Sequence, residues 1–218
     1  MDHYVERNYN ILKEKMLNQM ENALEFGRAL IDQELDAGIL NFVVKPVVKA
    51  FYNYWCDKDA RTGTRKQIKL VLDLGKKLVQ NGSEANFNEV IENHFQDYLK
   101  GDQTYLRCKK EHKDFNKLQQ ITKQCFITQV EGAIKFLEVQ EDAEDYDDLT
   151  RAAFKTKQEA YDVLSSQLDY HDEGIKIVEN SPDILDVPTG KGIIIKILRK
   201  GFEKTKKELI KRLNIVYN

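Results

Sequence analysis

Three observations predict an all-α fold for this chain of 218 residues. Proline and glycine are scarce, at 3 and 11 occurrences, which favours long helices over sheet. Apolar residues recur at three- and four-residue steps over long stretches, as on one face of an amphipathic helix. No strand-turn-strand pattern is found, and a short strand is left open only at "GIIIKIL" (192–198). We therefore expect a multi-helix bundle of about six to seven helices, several of them long and antiparallel.

The first half of the chain predicts three helices separated by breaks. The first runs from Asp2 to about Asp36, because its apolar residues keep helical spacing. The stretch "ILNFVVKPVVKAFYNYW" (39–55) is the most apolar part of the chain and predicts a central buried helix that Pro46 kinks or begins. A polar turn is expected at "CDKDARTGT" (56–64), with the third helix beginning after it.

The second half predicts three longer helices, from Ser83 to about Lys100, from Gln103 to about Val139 and from Leu149 to about Glu179. The last two are separated by "EVQEDAEDYDD" (138–148), which holds seven acidic residues and no basic one.

The two prolines of "SPDILDVPTG" (181–190) indicate a linker between the last two helices. We therefore expect a helical bundle over residues 1–180 and a proline-containing linker over 181–190. A basic amphipathic C-terminal helix over 191–218 is expected to dock on the same domain.

The C-terminal helix concentrates positive charge. Residues 193–213 hold eight basic side chains against two acidic ones, although the net charge of the whole chain is −2. One interpretation is a helix that closes the bundle and keeps its lysines in water. The other is a surface for a protein partner or an anionic membrane. The basic residues of that surface would be Lys196, Arg199, Lys200, Lys204, Lys207, Lys211 and Arg212.

Composition excludes some classes of partner and indicates the cellular compartment. The chain is slightly acidic overall and has no nucleic-acid-reading motif, so nucleic acid is not expected. Three widely spaced cysteines without a CxxC pair indicate a reducing compartment. Charges throughout the first 25 residues argue against a signal peptide. We expect a cytoplasmic protein that acts through a protein partner or a homo-oligomer.

The histidines offer one pattern of metal chemistry. His171 and Asp172 form the dipeptide used by HD-type metal-dependent phosphohydrolases, and His112 would supply a further ligand. The Glu-x-x-His spacing of di-iron bundles is absent, and no phosphate-binding loop or G-x-S-x-G motif occurs. A Cys/His nucleophile pair stays open, because such partners meet in space rather than in sequence. We expect a non-enzymatic protein without a cofactor or metal, with the HD-type phosphohydrolase as the alternative.

A third hypothesis concerns the aromatic run "FYNYW" (51–55), which contains the only tryptophan. Its aromatic side chains either pack in the core or line a pocket for an apolar small ligand. The pocket residues would be Phe51, Tyr52 and Trp55, and the protein would then be a carrier.

Overall fold

The computed structural model confirms the all-α fold. It describes residues 2–35, 46–50, 52–82, 86–181, 183–186 and 191–218, and within these it is 84% helical with no strand. Among these residues, no helix is both long and apolar enough to cross a bilayer.

Eight α-helices are found in the described ranges, so the count of six to seven is not confirmed. Two of them, α4 and α6, are short helices that periodicity did not separate from their longer neighbours. The helices are α1 (Asp2–Leu35), α2 (Ala60–Asn81), α3 (Phe87–Leu99), α4 (Gln103–Leu106), α5 (Phe115–Leu137), α6 (Tyr146–Ala153), α7 (Lys157–Asn180) and α8 (Lys191–Val216). A π-helical segment, Tyr52–Asp59, leads directly into α2, and residues 46–50 are also helical.

The polar turn predicted at residues 56–64 is wrong, because the chain is helical from Tyr52 to Asn81. The turn was predicted because glycine, here Gly63, is common in turns. Gly63 is buried inside the helix, and a Cβ at its position would lie 2.2 Å from the carbonyl oxygen of Gly101. This glycine therefore permits a close backbone approach and does not mark a turn.

The single helix predicted over residues 103–139 is also wrong, because the chain leaves helical geometry between α4 and α5. There the backbone N–H of Lys109 donates to the carbonyl of Ile184, and the N–H of Asp186 donates to the carbonyl of Arg107, both at 2.8 Å. These hydrogen bonds to a segment about 75 residues away replace those of a continuous helix.

The helix predicted from Leu149 to Glu179 is broken between α6 and α7. Phe154 is extended and 1% exposed, and Thr156 then caps α7. The Thr156 side chain accepts from the N–H of Glu159, while the Glu159 carboxylate accepts from the N–H of Lys155, each at 3.1 Å. This arrangement is similar to a capping box, except that the glutamate accepts from the residue before the cap, and "TKQE" (156–159) is its local sequence signal.

The buried side chains of the described residues form two clusters, and α8 contributes to both. The larger cluster includes Phe126 and Phe136 of α5 together with Leu213 near the end of α8. The smaller cluster includes the buried pair Ile184 and Leu185 from the predicted linker, with Ile195 and Ile197 from the start of α8. The described part of the predicted linker is therefore packed against the protein.

α5 and α7 lie side by side and run in opposite directions. Gly174 of α7 lies opposite Leu118, near the start of α5. The carboxylate of Glu159, early in α7, lies 3.4 Å from the ammonium of Lys135, near the end of α5. The contacts thus run in opposite order along the two helices, and the middles of both helices face each other.

Candidate functional site

The basic residues predicted as a surface on α8 are mostly engaged within the chain. Arg212 pairs with Asp147 at 2.5 Å, and Arg199 pairs with Glu179. Lys204 lies 3.7 Å from Glu208 and also over the ring of Phe26. Internal contacts also involve Lys196 and Lys200. This pairing reduces the positive charge that α8 presents to solvent.

The pairing of Arg212 also places the acidic segment 138–148 beside α8. Asp147 belongs to this segment, and Asp145 of the same segment caps α6 by accepting from two backbone N–H groups. A further base of α8, Lys206, pairs with Asp169 of α7 at 2.5 Å. Acidic side chains of α6 and α7 therefore face the inner edges of the basic helix.

The outer face of α8 remains available. Among the described residues, no carboxylate lies within 4.0 Å of Lys207 or Lys211, and both side chains are exposed. Ile210 and Ile215 of the same helix are 42% and 67% exposed. Lys211 lies four residues from both Lys207 and Ile215, and Ile210 lies three residues from Lys207, so the four side chains are on the same side of the helix. We call Lys207, Ile210, Lys211 and Ile215 the outer patch.

The aromatic pocket prediction can be followed only at Tyr52, because Phe51 and the side chain of Trp55 lie outside the described residues. Tyr52 is buried, and its hydroxyl donates to the carbonyl of Leu24 at 2.9 Å. It borders a cavity of about 440 Å³ whose other described lining residues are Arg28, Ile31, Asp32, Lys49 and Asn53. Most of these side chains are polar or charged, which does not favour an apolar ligand.

The three residues of the HD-type hypothesis have other partners. Nδ1 of His112 accepts from the backbone N–H of Asp114 at 3.1 Å, and Asp172 pairs with Lys176 at 2.6 Å. His171 faces Cys125. Within the described ranges no three acidic, histidine or cysteine side chains group as metal ligands. A metal site at these positions stays a prediction without support from their contacts.

The structure instead brings His171 against a cysteine, as left open above. The Sγ atom of Cys125, in the middle of α5, lies 3.4 Å from Nε2 of His171 in α7. Cys125 is 3% exposed, whereas His171 is exposed to solvent. The His171 ring also stacks on Phe202 of α8, with the ring centroids 5.5 Å apart. The thiol is therefore covered, and an imidazole separates it from α8.

A second group is directed at the same sulfur. The Tyr98 hydroxyl of α3 donates to Oε1 of Gln129 at 3.1 Å, which fixes the orientation of that amide. The amide nitrogen of Gln129 then lies 3.5 Å from Sγ of Cys125, and the Tyr98 hydroxyl itself is 4.0 Å away. Polar side chains of α3, α5 and α7 thus surround the sulfur, and the Gln129 amide donates to it.

The charges of this cluster are coupled. The thiolate form of Cys125 raises the pKa of His171 to about 9, against the opposing effect of desolvation, and the nearby Asp102 adds to the rise. Burial in turn raises the pKa of Asp102, although its carboxylate accepts from the N–H of Tyr105 at 2.9 Å. The arrangement favours an imidazolium beside the sulfur.

No local motif in the sequence identifies this cluster. Cys125 and His171 are 46 positions apart, and the residues around each of them fit ordinary amphipathic helices. Only the register between α5 and α7 brings them together. The one available signal was the open possibility that a cysteine and a histidine meet in space.

Comparison of the chain with protein-family models, with curated proteins and with solved structures gives no significant match.

Proposed function

We propose that this protein is a non-enzymatic helical interaction or scaffolding protein that acts at an anionic membrane surface through the outer patch of α8. The observation that carries the proposal is the exposure of Ile210 and Ile215 beside two lysines that have no carboxylate partner among the described residues. An interfacial helix has this combination, since apolar side chains enter the headgroup region while lysines meet anionic lipid.

In this proposal a bundle of long antiparallel helices supports the patch, with domain boundaries at 1–180, 181–190 and 191–218. The protein would be cytoplasmic, where the inner leaflet offers anionic lipid. Interaction with a protein partner, or self-association through the same patch, would be its scaffolding role.

The expected affinity is low. Two lysines near an anionic surface contribute about 1 kcal/mol each, and two partly exposed isoleucines add about 1 kcal/mol each on transfer into the interface. A total of about 4 kcal/mol corresponds to a dissociation constant of about 1 mM. Association would therefore be reversible and sensitive to salt, and it would need a second contact for stable anchoring.

Co-sedimentation with liposomes tests the proposal. Full-length protein is mixed with neutral vesicles and with vesicles containing about 30% anionic lipid, at about 50 and 500 mM salt. The variants are K207Q/K211Q and I210S/I215S, which change only exposed side chains. The matched control is K66Q/K77Q, which removes two exposed lysines from α2.

We expect binding to anionic vesicles at low salt that both patch variants lose and the control retains. Equal loss in the control would show a general charge effect and remove the role of the patch. No binding by the unaltered protein would discard the membrane surface and leave a protein partner as the interaction.

A further inference from the structure

We propose that Cys125 is a redox modification site, at which a small uncharged hydroperoxide oxidises the thiolate to a sulfenic acid while His171 supplies the proton. The inference goes beyond the membrane proposal and does not depend on it. It rests on the two nitrogen atoms directed at the sulfur, Nε2 of His171 at 3.4 Å and Nε2 of Gln129 at 3.5 Å.

An imidazole and an amide nitrogen this close to the sulfur are neighbours of the kind found beside reactive cysteines. A cation beside a thiol stabilises the thiolate, and a thiolate is the nucleophile in cysteine chemistry. The Gln129 amide is held with its N–H toward Sγ, because the Tyr98 hydroxyl donates to its oxygen. The sulfur therefore faces one charged and one neutral donor that are both fixed by neighbouring helices.

The reaction balances with the groups present and one oxidant. The Cys125 thiolate attacks one peroxide oxygen, so an S–O bond forms as the O–O bond breaks. The departing oxygen takes the proton of His171 and leaves as water, or as an alcohol from an organic hydroperoxide. The sulfur loses two electrons and the peroxide gains them, and the product is Cys125 sulfenic acid with a neutral imidazole.

The burial of Cys125 limits the size of the oxidant that can reach it. Cys125 is only 3% exposed, while His171, whose Nε2 lies 3.4 Å from the sulfur, is an exposed residue. A reagent that arrives beside this ring must be small, and hydrogen peroxide is close to water in size. Bulky or charged disulfides are excluded by the cover that the ring forms with Phe202.

Other ionisable side chains lie near His171. Asp102, at the start of α4, acts on its charge, and Tyr98 lies on the α3 side of the sulfur. The facing residue of α8 is the uncharged Phe202, and Lys206 further along α8 is held by Asp169. His171, whose pKa is raised to about 9, is therefore expected to dominate the pH dependence of the reaction.

The chain contains a matched internal control in Cys108. It is buried to a similar degree, at 9% exposure, but its Sγ donates to the carbonyl of Thr104 at 3.1 Å. The partner of this sulfur is thus a carbonyl acceptor, whereas Cys125 faces nitrogen atoms. The two cysteines share burial and differ in the groups that face the sulfur.

The experiment treats full-length protein with hydrogen peroxide, traps sulfenic acid with a dimedone probe and measures the modified peptides by mass spectrometry. An ordinary thiol is about 3% ionised at pH 7, so complete ionisation gains about thirtyfold and the lower nucleophilicity of a stabilised thiolate removes part of that gain. We expect Cys125 to react roughly tenfold faster than Cys108 at pH 7.

Two variants separate the roles of the neighbours. H171Q keeps a polar side chain without the charge, and we expect it to slow Cys125 roughly tenfold at pH 7 and to give a rate that rises steeply up to pH 9. Q129L removes the neutral donor and should slow the reaction less. Neither should change the rate of Cys108.

Equal rates of sulfenic acid formation at Cys125 and Cys108 in the unaltered protein would overturn the proposal. This comparison needs no variant, so the proposal can be tested even if H171Q does not fold. An unchanged Cys125 rate in folded H171Q would remove the role of the histidine and also contradict the inference. The readout is independent of vesicle binding, so failure here is distinguishable from failure of the membrane proposal.

Discussion

Gly63 and Gly101 show how a single residue decides between a turn and a continuous helix. Each occupies a place where a side chain would collide with the other's backbone: a Cβ on Gly101 would lie 2.7 Å from the carbonyl oxygen of Gly63. Glycine in "TGT" is also a common turn signal, so the sequence alone supports both interpretations. The contact between α2 and the turn after α3 decides for the helix.

Replacing Gly63 by alanine is expected to destabilise the protein by about 1–3 kcal/mol, because a backbone atom cannot move away as a flexible side chain does. Gly201→Ala is the matched control within another helix, where the added Cβ would meet nothing within 4 Å. That change should stabilise by about 0.5–1 kcal/mol through helix propensity. Urea unfolding measures both, and a loss no greater in G63A than in G201A would contradict the close approach.

α6 and α7 show how a helix that looks continuous in sequence becomes two. Apolar spacing continues across residues 149–179, and nothing in the periodicity marks the break. The break comes from Phe154, whose ring is buried against Phe136 with an edge-to-face contact at 5.3 Å. The backbone is extended at this buried residue, and Thr156 then caps the helix that follows.

Thr156→Ala is expected to lower the free energy of unfolding by about 1 kcal/mol, because the N–H of Glu159 loses its acceptor. Thr62→Ala is a suitable comparison, since Thr62 lies within α2 and its exposed hydroxyl only donates to the carbonyl of Lys58. That variant should remain within about 0.5 kcal/mol of the original. Equal stability of the two variants in urea unfolding would argue against a capping role for Thr156.

Across the whole molecule, α8 joins the two buried clusters. It places Leu213 in the larger cluster and Ile195 and Ile197 in the smaller one, while its outer patch faces solvent. A chain ending at residue 190 would therefore expose both clusters. Such a truncation cannot separate membrane binding from folding, and point variants of exposed residues serve that purpose better.

Leu213→Ala is expected to cost about 2–5 kcal/mol, because the side chain is 1% exposed and leaves a cavity. Ile210→Ala, on the outer face of the same helix, should change stability by less than about 1 kcal/mol. Thermal and urea unfolding of the two variants provide the measurement. A cost for L213A as small as that for I210A would mean that α8 is not part of the cooperative core.

The sequence by itself determined the helical class, the separation of α2, α3 and α4, and the last helix. Gly82 ends α2 with a φ of 56°, a conformation that favours glycine, and Asp102 caps α4. These features follow from local backbone chemistry, which short stretches of sequence record. Apolar spacing likewise identified α1 and α8, because each is long enough to show several repeats.

Only the tertiary structure decided the break within 103–139, the helical course of 52–81 and the cluster at Cys125. In each case the deciding contact joins residues far apart in the chain: Gly63 with Gly101, Lys109 with Ile184, Cys125 with His171. Such contacts depend on how helices are registered against one another, which no local pattern specifies. The same register divided the bases of α8 into paired inner residues and an open outer patch, because the partner acids lie on α6 and α7.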